Sequence, residues 1–283
     1  MRSVDEAVIL VTGSTDGLGK STARDLATSG ATVLLHGRDP ERGDSVVREL
    51  REETDNDSLH YYVADFSSLE EVRRLADEIT ADHDRLDVLV NNAGIGAGRR
   101  GEKSRDSSRD GYELRFAVNY LAPFLLTRLL LPLVRRSVPS RIVNVASAGQ
   151  SPISFDDVML ERGYDGMRAY AQSKLALVMF TFDLAEELEG TGVTANSLHP
   201  ASLMDTKMVF ETFGSASSSV REGTDATVRL AISPELEGIT GRYFDGQREA
   251  RADEQAYDPE ARARLRRLSE ELTGLRASGA NSS

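Results

Sequence analysis

The chain contains no cysteine. Disulfides are thereby excluded, and thiolate metal sites with them. Histidine is almost as scarce. His36, His60, His83 and His199 are scattered without the spacing of a ligand set, which argues against zinc. Of the 34 basic residues only Lys20, Lys103, Lys174 and Lys207 are lysine, a bias that genome composition or a salt-adapted surface would equally explain. Acidic side chains outnumber basic ones, 46 to 34, and the formal net charge of −12 argues against a nucleic-acid or anionic-membrane partner. Long hydrophobic runs are missing too. The longest, Leu121 to Val134, is broken by Pro123, Arg128 and Pro132 and reads as a buried helix end, not a membrane span. The first apolar run is too short for a secretory signal. The expectation is a soluble cytoplasmic protein.

What is present is an alternation. The 283 residues are 40% apolar, enough for the core of one large α/β domain spanning residues 1–283. Short apolar runs, Ala7–Val11, Ala31–His36, Leu59–Ala64, Leu86–Val90, Arg141–Ser147 and Val193–Leu198, alternate with segments of helical spacing. Gly241–Phe244 reads as a seventh, edge strand. The pattern predicts a Rossmann-like, doubly wound, seven-stranded and mainly parallel sheet with helices on both faces. Gly96 to Gly111 reads as a solvated surface loop, and about Tyr112 to Arg135 as a long helix. Ala148 to Met167 reads as a crossing loop with room for a short helical piece near Phe155. About 201–221, rich in serine and glycine, reads as a lid over a site; 224–233 and 259–272 are further helices, and 273–283 a flexible tail.

The chain is organised around Thr12-Gly13-Ser14-Thr15-Asp16-Gly17-Leu18-Gly19. Strand, glycine turn and helix in this order place a phosphate against a helix N-terminus. Gly13, Ser14, Thr15, Gly17, Leu18 and Gly19 are therefore candidate cofactor-binding residues. The glycine spacing departs from the G-x-G-x-x-G fingerprint. Three further features fall at strand or helix ends: Asn91-Asn92-Ala93-Gly94, Ser147, and Tyr170-Ala171-Gln172-Ser173-Lys174.

Together with Asn119 in the long helix, these motifs resemble the short-chain dehydrogenase/reductase family, over about Val8 to Gly246. The glycine spacing fits the compact single-domain branch. The stretch Gln150 to Tyr170 and its continuation to Ala176 look most like the retinol-dehydrogenase group. The resemblance implies that Asn119, Ser147, Tyr170 and Lys174 form the catalytic set, Asn119 anchoring a water between Lys174 and solvent. A polar residue satisfied among helices is the alternative for Asn119. It also implies that Asp65 and Phe66 contact adenine, that Asn91 supports the central strand, and that Ala93 and Gly94 line the adenosine ribose beside Asn92. Pro200 and Ala201, where the family has Pro-Gly, and Thr206 would approach the nicotinamide. A homodimer or homotetramer, paired through the long helix and the helix carrying Tyr170, is implied as well.

The chemistry can be argued from the residues. Tyrosine, with a reference pKa of about 10, is a poor base near neutrality. Lys174 lies one helical turn on, on the same face as Tyr170. At ~4.5 Å and an effective dielectric of ~20, its charge is worth roughly 4 kcal/mol, about three pKa units. The expectation is a tyrosine drawn toward ~7, with Ser147 holding the substrate oxygen. At the end of the second strand an acid would select NAD through the ribose 2′-hydroxyl, whereas a nearby arginine suits the 2′-phosphate. Here Gly37 is followed by Arg38. NADP(H) is favoured, with NAD(H) the alternative. Met204, Met208, Phe210 and Phe213, with Pro152 and Ile153, suggest an apolar pocket for a retinoid-, steroid- or aldehyde-like substrate, unless they serve only to bury the lid. The competing functional reading is a catalytically idle NAD(P)-sensing or scaffold protein on the same fold.

Overall fold

The structure is a computed structural model that describes residues 3–98 and 104–275, without the side chains of Glu211 and Phe213. The tail from 276 onward, and Arg99, Arg100, Glu102 and Lys103 of the polar loop, lie outside the described residues.

The apolar runs form the parallel strands that the alternation predicts: β1 (Val8–Val11), β2 (Thr32–Gly37), β3 (Leu59–Val63), β4 (Val88–Asn91), β5 (Ser140–Val145), β6 (Val193–His199) and β7 (Tyr243–Asp245). An eighth strand, β8 (Arg248–Ala250), corrects the expected seven; the order is β3-β2-β1-β4-β5-β6-β7-β8, and only β8 is antiparallel. β7 is therefore an interior strand. Gly246, at φ 57°, and Gln247 turn the chain between Asp245 and its partner Arg248. Arg-Glu-Ala buries little and carries no apolar alternation, so hydrophobic pattern does not mark it.

The helices are α1 (Gly17–Thr28), α2 (Pro40–Thr54), α3 (Leu69–Asp82), α4 (Leu114–Phe116), α5 (Ala122–Arg136), α6 (Gly166–Glu187), α7 (Lys207–Phe213), α8 (Val220–Ile232) and α9 (Pro259–Leu272). Asp39, Ser68 and Asp165 cap α2, α3 and α6 through their side-chain oxygens. One apolar cluster under α3, α5, α6 and α9 fills one face of the sheet; a second, under α1, α2 and α8, fills the other. Residues Leu114–Arg136 are long and apolar enough to cross a membrane by composition, with an 18-residue window of mean hydropathy 1.6, but 83% of that window is buried in the protein.

Three further expectations change. The segment near Phe155 forms turns and not a helix. Helix α8 starts at Val220, inside the stretch read as lid, because Ser219 and Glu222 form a reciprocal capping box there. The long helix is interrupted by a π-helical turn, Ala117–Leu121, centred on Asn119.

Strand order reverses between β1 and β4, which opens a crevice beyond their carboxyl ends. The glycine turn, Asn91–Gly94, Ser147 and His199 all follow or end strands on that edge.

Candidate active site

The glycine turn is held from three sides. Gly13 has φ +65°, and a Cβ there would lie 2.8 Å from Ala93 Cα, so both conformation and space require glycine. A Cβ at Gly19 would collide with the Gly13 carbonyl and the Asn92 carboxamide, which explains the close passage of α1 over the turn. Thr12 Oγ1 accepts from the amides of Asn92 (2.9 Å) and Ala93 (3.0 Å), and Asn92 Nδ2 donates to the carbonyls of Thr12 and Gly13. Asn92 thus meets the turn itself. Ser14 is buried and bonded to His36, while Leu18 belongs to the second apolar cluster. The Gly17 amide donates to its N-cap Asp16 at 2.8 Å.

Beyond β2, Arg38 is exposed and makes no hydrogen bond or ion pair among the described residues. Asp39 does not face it, because its carboxylate accepts from the Arg42 amide and caps α2. Arg42, in the first turn of α2, reaches back to the glycine turn, donating to the Thr15 carbonyl (3.2 Å) and pairing with Asp16 (2.7 Å). Helical spacing after Pro40 was the signal that could have marked Arg42. Asp65 accepts from the Ser67 amide and pairs with Arg109 at 3.3 Å. Phe66 is buried, its ring stacked on His36 with centroids 4.3 Å apart. Asn91 Nδ2 donates to Thr127 Oγ1 and Asn144 Oδ1, so it does tie the central strands together.

Ser147 follows β5 and Tyr170 lies on α6; both side chains border Gly149, and Ser147 acts to lower the Tyr170 phenol. Ser147 Oγ also accepts from the Gly149 amide at 3.0 Å. The Ser147 carbonyl receives Tyr243 Oη (3.1 Å) and Gln150 Nε2 (2.8 Å). Tyr243 comes from β7, far along the chain, and no local pattern announces it. Lys174 is buried, donates from Nζ to the Val145 carbonyl at 2.9 Å and stands 5.9 Å from the Tyr170 ring centroid. Burial pushes its ammonium down to about 8. Burial also raises Tyr170 above its ordinary value, against the lowering effect of Ser147. A tyrosine drawn toward ~7 was expected; in the structure desolvation dominates, and the lysine charge is directed at a carbonyl.

Asn119 is fully buried. Its Oδ1 accepts from the Ile95 amide (2.8 Å), and its Nδ2 donates to the Ile95 carbonyl (3.1 Å) and to Ser173 Oγ (3.0 Å). It is fixed as a clamp on the strand leaving β4. Oδ1 and Lys174 Nζ both border Gly94, where a Cβ would lie 3.2 Å and 3.4 Å from them. The next residues of that strand are clamped from a buried network that sequence reasoning missed. Arg115 donates to the carbonyls of Gly96 (3.1 Å) and Ala97 (3.0 Å) and to Tyr164 Oη (2.7 Å), and pairs with buried Glu113. An arginine inside an otherwise apolar helical run was the available signal.

The stretch 201–221, expected as a lid, is less tightly built. Pro200 and Met204 pack toward Gly223 beside Leu18, so Met204 buries the lid's root. Ala201 and Thr206 follow, and Thr206 caps α7 while its methyl lies beside Gly17. His199 Nε2 is 3.0 Å from Ser202 Oγ. Met208 abuts Gly96, yet Met208 and Phe210 remain 36% and 49% exposed. Ile153 is buried, its amide and carbonyl held by Gln255, and Pro152 is exposed. The Phe213 side chain lies outside the described residues.

This geometry has close relatives. A sequence model of the short chain dehydrogenase family matches residues 7–215. Retinol dehydrogenase 13 of Mus musculus is 37% identical over 284 residues, which span 94% of this chain and 84% of that protein. Retinol dehydrogenase 14 of Homo sapiens is 36% identical over 294 residues, 94% of this chain and 86% of that protein. Among solved structures, a short chain dehydrogenase from Shigella flexneri complexed with NADP is 27% identical, with TM-score 0.70, over 86% of this chain and 97% of that one. One from Escherichia coli complexed with NADPH has the same identity, TM-score and coverage. The chain belongs to the short-chain dehydrogenase/reductase family and is an oxidoreductase acting between CH–OH and C=O groups.

Proposed function

We propose that the chain transfers a hydride between NADP(H) and an apolar carbonyl or alcohol, with Tyr170 as the acid/base. The observation that carries this is the meeting of Ser147, Tyr170 and Lys174 at the carboxyl edge of the sheet, beside Gly94 and next to the glycine turn. The residues fit a dinucleotide. The turn leads into α1, Gly94 leaves the space before Lys174 and Asn119 open, and Arg38, without a partner among the described residues, stands after β2 where a 2′-phosphate would lie.

When bound, the nicotinamide supplies or accepts the hydride. Ser147 donates from Oγ to the carbonyl oxygen and fixes its position; Tyr170 gives that oxygen its proton from Oη as the carbon receives the hydride pair. Burial keeps Tyr170 protonated at neutral pH, which suits reduction. The Lys174 ammonium, charged below about 8, stabilises the phenolate left behind and reaches toward the nicotinamide ribose. In the oxidative direction the same atoms move in reverse.

The apolar substrate is supported by Met208 and Phe210 on the lid and by the likeness to proteins named retinol dehydrogenases. Fluorescence titration with NADPH and NADH, followed by a panel of retinoid, steroid and aliphatic or aromatic aldehydes, tests the reading. Tight NADPH binding without turnover on any member would favour an idle nucleotide sensor instead. A single domain in the cytoplasm, assembled as a homodimer or homotetramer, completes the proposal. Pairing through α5 and α6 would have to accommodate α9, which packs on that side through Tyr120–Ser269 (2.6 Å), Arg262–Glu186 (2.7 Å) and Arg266–Asp183 (3.3 Å). Sedimentation showing only a 30.9 kDa species at micromolar concentration would remove the assembly.

A further inference from the structure

His36 is a buried histidine that the proposed chemistry does not use. It lies near the crevice end of β2, is 3% exposed, and touches the segments that leave both neighbouring strands, β1 and β3. Nδ1 lies 3.1 Å from the Gly13 amide. Nε2 lies 3.1 Å from the Ala64 carbonyl. The backbone of His36 is paired with the next residue of the turn: its amide donates to Ser14 Oγ at 2.9 Å, and its carbonyl accepts from the Ser14 amide at 2.9 Å. The ring face is stacked on Phe66, with centroids 4.3 Å apart and planes 24° from parallel.

The partners decide the proton. A backbone amide only donates, so Nδ1 must be the bare, accepting nitrogen. A carbonyl only accepts, so Nε2 must carry the hydrogen. An imidazolium would set an N–H against the Gly13 N–H and break the contact. Burial supports the neutral ring, pushing His36 down to about 4 against the raising effects of the Ala64 hydrogen bond and the Asp65 charge.

We propose that His36 is a positioning residue for nucleotide binding: as the neutral Nε2–H tautomer it holds the Gly13 amide and so fixes the left-handed first residue of the glycine turn in its binding shape. The inference rests on the reading that this turn receives the dinucleotide. Without the imidazole, the Gly13 amide is buried against an apolar wall or left to water, and the turn must be ordered when the ligand arrives. Because His36 acts on the turn and not on the 2′-phosphate, its loss weakens NADPH and NADH alike. That separates it from Arg38, whose loss changes the ratio of the two.

The test compares wild type, His36→Leu and His36→Gln. Dissociation constants for NADPH and NADH are measured by fluorescence titration and apo-protein melting by calorimetry. The imidazole tautomer of the wild type is read by long-range ¹H–¹⁵N NMR. The expected result is an Nε2–H tautomer throughout the neutral range and a roughly ten-fold weaker affinity of His36→Leu for both cofactors. His36→Gln, which can accept from Gly13 and donate to Ala64, should recover part of that loss, and kcat at saturating cofactor should stay within about two-fold. Equal NADPH affinity in wild type and His36→Leu overturns the inference, as does an Nδ1–H tautomer. A His36→Gln variant no better than His36→Leu at matched melting temperature overturns it too. If the leucine variant does not fold, the glutamine variant and the wild-type tautomer still decide. A wild type that binds neither nucleotide overturns the reading of the turn, and this inference falls with it.

Discussion

The two sides of the cleft are built differently. On the nucleotide side, Thr12, Ser14, His36 and Asn119 are all buried, and each is bonded to backbone of another element. On the lid side, Ser217 and Ser218 bond the Ser202 carbonyl at the surface, Asp205 caps the Val220 amide in solvent, and Phe210 is half exposed. Buried hydrogen bonds resist local opening, whereas solvent-exposed ones and few apolar contacts mark segments that open at little cost. One side therefore carries a preformed binding surface, and the other carries shape that can adapt to a substrate. Substitutions on the first side should alter affinity or chemistry strongly; those on the second should alter substrate preference mildly.

Tyr170→Phe should have the largest effect. The ring keeps its packing on α6 while the proton is lost, so kcat should fall by about 10²–10⁴-fold. NADPH affinity should change by less than about two-fold. A variant that retains most of its kcat in a stopped-flow assay would remove Tyr170 from the mechanism.

Lys174→Met should separate function from stability. Turnover and NADPH affinity should both fall if, as proposed, one ammonium serves the phenolate and the ribose. The folded protein, however, should gain stability. Lys174 is lowered from about 10.5 unfolded to about 8 folded, so the folded state holds the charge at a cost below about 8. That cost, about 3 kcal/mol at neutral pH from the size of the shift, disappears in the methionine variant. Wild-type stability should climb toward the variant's as pH rises from about 8 to 10.5, because there the unfolded chain binds the extra proton. Urea titrations of both proteins at two pH values check the sign; a variant less stable than wild type at neutral pH refutes it.

Arg38→Ala should weaken NADPH by roughly ten- to hundred-fold and leave NADH nearly unchanged, as expected for one lost charge-assisted hydrogen bond of about 1.5–3 kcal/mol. The effect should shrink with salt, because the guanidinium is exposed. Arg42→Ala, which also frees Asp16 and the Thr15 carbonyl, should act in the same direction. Replacing Gly37 with an acid is a poorer test, because a Cβ there would lie 2.7 Å from both Thr15 Cγ2 and Tyr61 Oη. Comparison of kcat/KM for the two cofactors decides, and a wild type that already prefers NADH ends the argument.

The contrast between the two sides also explains what could be read from the chain. The central parallel strands were legible because they are buried on both faces and read as apolar runs. Tyr170 and Lys174 were legible as one helical turn on one face, a local relation, and Ser147 through the resemblance carried by its motif at a strand end. Strand β8 was not, since two exposed residues and a half-buried alanine carry no pattern. His36, Arg42 and the Arg115–Glu113–Tyr164 network were not, because their roles depend on contacts across elements that spacing does not encode. The direction of the Tyr170 shift was missed for a related reason: a lysine one turn away predicts attraction, but burial of both groups depends on the surrounding fold.

The smallest expected effect belongs to the lid. Phe210 lies on α7, half exposed, in a segment anchored at its root by Met204 under α8. Phe210→Ala removes little buried area, so the melting temperature should hold and the stability change should stay within about 0.5 kcal/mol. If the exposed ring closes on the apolar part of a substrate, KM should rise about three- to ten-fold for long apolar carbonyls, the worth of roughly 1 kcal/mol of lost contact. KM for a short aldehyde should not move, and kcat should be unchanged for both, since Ser147 and Tyr170 stay in place. Met208→Ala should do less to selectivity and more to the lid's seating, because Met208 already rests on Gly96. Equal KM changes for long and short substrates would mean that the lid closes on the cofactor alone. The difference between a rigid nucleotide side and an adaptable substrate side would then lie elsewhere in the cleft.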